Sequence, residues 1–307
     1  MTARSPAGRR TARPVRPVRP VGTARPARRA WTVAAPRRAA AAVLVHTLLA
    51  LLAAAFALPA LWLLAAFDAD ASARARLPAE PTLEHFASVA TADTLFVPLG
   101  NSLWICGGAA VVTVAASVLA AYPLSRFQLR FGRPFLYTVL FATGLPITAI
   151  MVPVYSLFSR VGMVDSRWGA MLFLAAAGLP FGIWLTKSFM DGIPVELEEA
   201  AWADGASARQ SLLRVVVPLA LPGLSVVGVF TLVLAWGNFF VPFVLLQSPE
   251  RLPAAVRIYT FFGQYGSMDY GPLAAYALLY TLPVVLLYAA VSRFLGGGFS
   301  LGGAMKG

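Results

Sequence analysis

The stretch "EEAAWADGASARQSLLRVVVPLALPG", residues 198–223, gathers five charged side chains (Glu198, Glu199, Asp204, Arg209 and Arg214) beside long runs that carry none. Its residue order predicts helix, sharp turn, helix. Pro194 suits a first helical position, where its missing N–H leaves no bond unmade, and Glu196, Glu198 and Glu199 then face the positive end of the helix dipole. The helix should stop near Asp204, because Gly205 can take the left-handed conformation of a C-terminal cap. Ser207 with Gln210 three positions on is a capping-box pattern, and Leu212, Leu213 and Val216 carry a second helix until Pro218 interrupts it. Ala200, Ala201 and Ala203 leave part of the first helix without bulk, so another protein's backbone can approach while Glu199 reaches for a basic partner. The plainer alternative is an amphipathic linker on the bilayer. Three glutamates and no lysine in that first helix fit poorly against an anionic lipid surface.

Outward from this stretch the chain is apolar. Of its 307 residues 59% are hydrophobic and only 12% charged, whereas soluble domains are about a quarter charged. Six charge-free runs stand out, at 39–67, 94–125, 134–159, 168–186, 215–249 and 270–292. About 20 apolar residues at about 1.5 Å each span a hydrocarbon core roughly 30 Å thick, so all six runs qualify. The predicted class is an all-α integral membrane protein with six transmembrane helices. Its expected organisation is a disordered basic tail over 1–38, a first span over 39–67, an external segment over 68–98 and a core over 97–292. The remaining spans are placed near 99–123, 135–157, 168–186, 220–246 and 270–292, with the polar loop at 187–218 and a C-terminal tail at 293–307.

The formal charge of +12 is not a nucleic-acid signature, because eleven of the 25 basic residues lie between Arg4 and Arg38, where there is no acid. That tail is too poor in large apolar side chains to fold, and it reads as a topogenic segment. Six crossings put both termini on one side. Outside the tail that side carries Arg126, Arg130, Arg133, Lys187, Arg209, Arg214, Arg293 and Lys306, against Arg74, Arg76, Arg160, Arg167, Arg251 and Arg257 on the other. Both termini and the 198–223 stretch are therefore expected in the cytoplasm.

The spans hold no Asp, Glu, Lys or Arg, and His46 is the one imidazole within them. A proton relay or ion site would need such groups, since burying a charge costs about 3 kcal/mol and is kept for function. His46 alone reads as a helix-surface residue. No G-x-x-x-x-G-K-[ST] phosphate loop occurs, and the glycine-rich "GGGFSLGGAMKG" at the C-terminus lacks the residues to replace one. Two distant histidines and the single Cys106 exclude a histidine–cysteine metal cluster, a catalytic triad and an intrachain disulfide. The chain is expected to bind no cofactor and to catalyse no reaction, so energy for uphill transport must come from another subunit. The competing reading is a stand-alone secondary transporter or channel for a small neutral solute.

Glu199-Ala200-Ala201, Asp204-Gly205-Ala206, Pro218 and Pro222 resemble the cytoplasmic "EAA" loop of binding-protein-dependent ABC importer permeases in residues and spacing. "NSLWICGGAAVVTVAASVLAAYPLSRF" (101–127), "PFGIWLTKSFMDGIPVELEEAA" (180–201) and the terminal "GAMKG" resemble the carbohydrate-uptake branch, in particular the maltose-type second permease subunit. The likeness runs from about Thr82 to Gly307. It implies the type I importer permease fold in a bacterial cell membrane, pairing with a homologous permease, two ATPase subunits on the cytoplasmic side and an extracytoplasmic binding protein that delivers sugar. It also implies that Glu199, Ala200, Ala201, Asp204 and Gly205 couple to the ATPase, with Lys306 a further contact.

Polar and aromatic residues gather in the fifth span as "LAWGNFFVPF" (234–243), where related permeases usually carry Trp-Asn followed by an acid and this chain has Trp236-Gly237-Asn238. An uncharged amide among aromatic faces suits a sugar ring, so Trp236, Asn238, Phe239 and Phe240 are candidates for the substrate path. Ordinary helix packing of Asn238 is the alternative. Prolines 146, 153, 180, 242 and 283 predict kinked spans. By resemblance, the loop over 247–271 probes the binding protein with Gln264, Tyr265 and Gly266 near its tip; an aromatic belt at the bilayer surface is the plain reading. The acidic 68–98 segment, with Asp68, Asp70, Glu80, Glu84 and Asp93, is a second expected external surface.

Overall fold

The computed structural model describes residues 35–69, 78, 80–262 and 268–295. Most of the expected tail, the Asp70–Arg76 part of the external segment, Gln264–Gly266 and Lys306 lie outside these residues. The chain divides into two units, Met1–Phe56 and Ala57–Gly307. The described residues of the first belong to α1 (Ala35–Ala60), which starts four residues ahead of the expected span. Its large apolar side chains from Val43 to Phe56 are more than half exposed, as lipid immersion requires. His46 sits on this surface with its ring bonded to the Ala42 carbonyl at 2.6 Å.

In the second unit a 3₁₀ turn (Leu61–Phe67) leads to α2 (Glu84–Val89) and then α3 (Val97–Arg126). There follow α4 (Gly132–Ala142), α5 (Ile147–Arg160), α6 (Arg167–Asp191), α7 (Glu196–Ala203), α8 (Ala208–Ser211) and α9 (Val217–Trp236). The chain closes with α10 (Phe240–Leu245), α11 (Ala254–Arg257) and α12 (Tyr270–Leu295). The described residues form no extended sheet, only the isolated bridges Asp68–Pro81 and Phe262–Met268. Five helical stretches among them are long and apolar enough to cross a membrane, namely 42–67, 92–126, 167–191, 208–236 and 270–291.

Two spans differ from expectation. The third is two helices, α4 and α5, bent by 97°. Gly144 and Pro146 explain the break: Thr143 and Gly144 turn back on Leu140 and Phe141 through i−3 bonds, and Pro146, extended at ψ 126°, has no N–H to continue the ladder. The fifth starts at Ala208 and ends at Trp236, with α10 a separate short helix beyond Gly237. Pro218 does not interrupt it. The helix widens into a π turn over Leu212–Val216, Val217 N–H reaches back five residues to Leu212, and Pro218 falls where the bonding register returns to α.

The α3–α6 pair forms the centre of the second unit. Gly178 and Gly182 on α6 face Thr113 and Ser117 on α3, each pair four residues apart. A Cβ on Gly182 would lie 2.5 Å from the Ser117 hydroxyl, so only glycine permits this approach. Thr113 also donates to the Ala175 carbonyl at 3.1 Å, which ties the two helices together. Asp68, expected on an external surface, is instead buried; its carbonyl meets His85 Nε2 at 3.0 Å.

Candidate functional site

The polar elbow forms as the local sequence dictates. Pro194 stands just ahead of the N-cap, Val195, so α7 begins two residues later than expected. No side chain caps that end, and Glu196, Glu198 and Glu199 occupy its first turn. At the other end Gly205 takes φ +86°, donating to Trp202 at 3.0 Å while Ala206 donates to Ala201 at 2.9 Å, a complete Schellman motif. No heavy atom lies within 4 Å of a Cβ built on Gly205, so the demand for glycine there is conformational alone. Ser207 and Gln210 then exchange reciprocal bonds, Gln210 N–H to Ser207 Oγ at 3.3 Å and Ser207 N–H to Gln210 Oε1 at 2.8 Å, and start α8.

The three glutamates of α7 have different roles in the structure. Glu196 and Glu199 are exposed, as are Ala200, Asp204 and Gly205, with Ala201 half-buried. Leu197 and Trp202 are exposed beside them, so α7 presents apolar and acidic groups together. Glu198 is fully buried against the C-terminal end of α3. Its carboxylate pairs with Arg126 Nε and accepts from Tyr122 at 3.0 Å and Ser211 at 3.4 Å. Arg126, with 2% of its side chain exposed, also donates to the Met190 and Ile193 carbonyls at 3.0 and 3.2 Å and to Ser125 Oγ at 3.2 Å. Ser125 in turn donates to Asp191, which Lys187 pairs with at 2.6 Å. Sequence reading grouped Glu198 with its neighbours and missed this network. Its partner lies 72 residues away, and the available signal was an Arg closing an otherwise charge-free helix.

A second feature lies midway along α6. A cavity of about 420 Å³ is walled by Thr143, Gly178, Phe181, Phe230, Thr231 and Asn238, among others. It brings two hydroxyls and an amide together with two aromatic faces. Of the candidates in the fifth span, Asn238 alone lines it. Its Oδ1 accepts the Val241 N–H at 3.0 Å, capping the chain where α9 gives way to α10. Trp236 is buried in the core, stacked on Tyr280 with ring centroids 5.6 Å apart, and Tyr280 donates to its carbonyl at 2.5 Å. Phe239 stacks on Phe243 beside Tyr259, and Phe240 packs against the core.

At the opposite end of α6 from α7, Asp165 ties the turn before α6 to the 245–251 stretch. In the left-handed conformation (φ 56°), it accepts from the Gln247 and Ser248 N–H groups at 2.9 and 3.0 Å and from the Ser248 hydroxyl at 2.5 Å. Arg251 pairs with it at 3.2 Å. Burial alone would raise its pKa, but the bonds from Ser248 and Gln247 and the Arg251 charge prevail and hold the carboxyl down at about 2. Nearby, Asn101 donates to the Glu250 and Leu252 carbonyls, so the 249–257 stretch is pinned to α3 and does not project as a loose loop.

Five helical stretches apolar enough to cross a membrane, with an exposed polar elbow beside them, mark the described residues as those of an integral membrane protein. The family described as "Binding-protein-dependent transport system inner membrane component" matches residues 113–295, and the chain belongs to that family. The chain is 33% identical over 230 residues to a putative ABC transporter permease (ORF1) of Streptomyces antibioticus, covering 75% of this chain and all of that one. It is 30% identical to the maltodextrin transport system permease MdxG of Bacillus subtilis, covering 72% and 80% of the two chains. In fold it is similar to a chain from the crystal structure of a bacterial ABC transporter involved in importing the acidic polysaccharide alginate (TM-score 0.72, 21% identity, covering 82% and 95%). It is a multi-pass inner-membrane component of a transport system.

Proposed function

We propose that this chain forms half of the translocation path of an ATP-driven carbohydrate importer. A homologous permease supplies the other half, an extracytoplasmic binding protein delivers the sugar, and two separate ATPase subunits hydrolyse ATP. Both termini and α7 face the cytoplasm, in keeping with the basic bias of the loops. The observation that carries the reading is α7 itself, a short helix with Glu199, Ala200, Asp204 and Gly205 exposed and its far end fixed by a left-handed glycine. Glu199, Ala200, Ala201, Asp204 and Gly205 dock it into the ATPase, with Lys306 as a further contact. Carbohydrate as the cargo class draws support from the maltodextrin permease among its relatives and from the hydroxyls, amide and aromatic faces around the cavity at Asn238. Gln264, Tyr265 and Gly266 are the proposed contacts with the binding protein.

Co-purification tests it. The tagged chain expressed with its companion subunits should retain the ATPase, and Glu199→Lys combined with Gly205→Ala should lose it. Alanine at Gly205 costs about 1–2 kcal/mol of left-handed strain, enough to misplace α7. Undiminished ATPase retention by the double variant, or ATP-independent uptake by this chain alone, overturns the proposal.

A further inference from the structure

Covalently, α7 hangs between α6 and α8 and packs beside α8 and the π turn, yet its one buried residue, Glu198, also reaches α3. Glu198 is 0% exposed and the helix it meets ends at Arg126, whose guanidinium also grips the carbonyls of Met190 and Ile193 at the exit of α6. Four of the five guanidinium N–H groups are engaged. Tyr122, one turn earlier on α3, and Ser211 on α8 complete the shell around the carboxylate. Val118, Ala121, Met190, Ile193, Leu212 and Val216 pack beside it, so the pair sits in an apolar surround. In such surroundings a broken pair leaves an uncompensated charge, whereas an intact one admits few alternative geometries. From there α3 runs back to Thr113 and Ser117, where Gly178 and Gly182 allow no gap to α6, and Gly178 is itself part of the cavity wall.

We infer that Glu198 is a positioning residue: its pair with Arg126 makes α7 and the end of α3 one mechanical piece, through which movement of α7 reaches the α3–α6 contact and the cavity. This rests on the reading of α7 as the ATPase-docking helix. The glutamates then divide the work, Glu199 facing the partner and Glu198 holding the helix that carries it. Without the pair, α7 would still dock and still rest on α8 and the π turn, but nothing would bind its movement to α3, which would stay behind.

The test uses the full complex with spin labels at Leu119→Cys on α3 and Ala203→Cys on α7, both exposed positions, and with the buried Cys106 left in place. The inter-label distance is measured without nucleotide and with ATP plus vanadate. With Glu198 present, one narrow distance should persist in both states. In Glu198→Gln, which keeps the shape and loses the charge, the distance should broaden and shift between states while the ATPase still co-purifies. Tyr122→Phe removes one hydrogen bond only; should Glu198→Gln fail to assemble, this variant should show a smaller broadening. The same narrow, nucleotide-independent distance in an assembled Glu198→Gln complex, or in Tyr122→Phe where the glutamine variant does not assemble, overturns the inference. Loss of the docking reading itself is separate: it would show as unchanged ATPase retention on altering Glu199 and Gly205.

Discussion

Both ends of α6 are fastened by a carboxylate and an arginine, and the two fastenings are built for different surroundings. At the α7 end the side chains of Arg126 and Glu198 are 2% and 0% exposed, among apolar neighbours. At the far end those of Arg251 and Asp165 are 45% and 23% exposed, and most of the bonds to Asp165 come from two consecutive residues, Gln247 and Ser248. Removing charges from water costs free energy that only good geometry offsets, so the buried pair either fits or fails. The exposed one can exchange its partners for water at small cost. The contrast suggests a rigid joint where force is transmitted and a softer clasp where loops are gathered.

The sharpest way to break the contrast is Arg126→Ala. It strands Glu198 in an apolar site and should cost about 3–5 kcal/mol, read as a fall in the thermal midpoint of the purified complex. The matching change at the far end, Asp165→Asn, should cost only about 1 kcal/mol. Asparagine tolerates the left-handed backbone and keeps one oxygen for the Gln247 and Ser248 amides; the charge is lost, together with the second oxygen that accepts from the Ser248 hydroxyl and Arg251. Near-equal losses from the two variants would remove the distinction. The smallest effect is that of acid on the clasp. Asp165 titrates at about 2 when folded against an ordinary value of 3.8, so the unfolded chain binds the proton more readily. Its contribution is therefore complete above about pH 4 and is lost as the pH falls toward 2. Amide exchange at Gln247 and Ser248, corrected for its intrinsic pH dependence, should show unchanged protection from pH 7 to pH 4 and weaker protection only below that.

What the sequence disclosed follows from range. The capping box at Ser207 and the left-handed Gly205 are each specified within a few residues, and each is found where expected. The run over 134–159 was legible as apolar, and Pro146 as a kink, but a proline alone does not reveal that the two arms turn by 97°. Pro218 read as a breaker because the local rule assumes α bonding, whereas the π turn before it changes which carbonyl lacks a partner. Glu198 and Glu199 look alike in sequence. About 100° of helix rotation separates them, and only the approach of α3 decides which one is buried. The glycines at 178 and 182 form a readable close-packing pattern, but the Thr113 and Ser117 that face them lie some 65 residues earlier. Among the aromatics of the fifth span, composition flagged four candidates and the break at Gly237 turned Asn238 alone toward the cavity.

The widened turn at Leu212–Val216 also makes chain length between elbow and span a tuned quantity. It stores one surplus residue, so excising a single position there would let the coil tighten to an ordinary register without shortening the ladder elsewhere. Because the wide turn already absorbs that residue, the excision would leave the elbow facing nearly as it does now. Removing one residue from the regular part of α9, where no surplus is stored, would instead clock everything upstream by about 100° and point Glu198 away from its guanidinium, an outcome that no point substitution at the elbow could imitate.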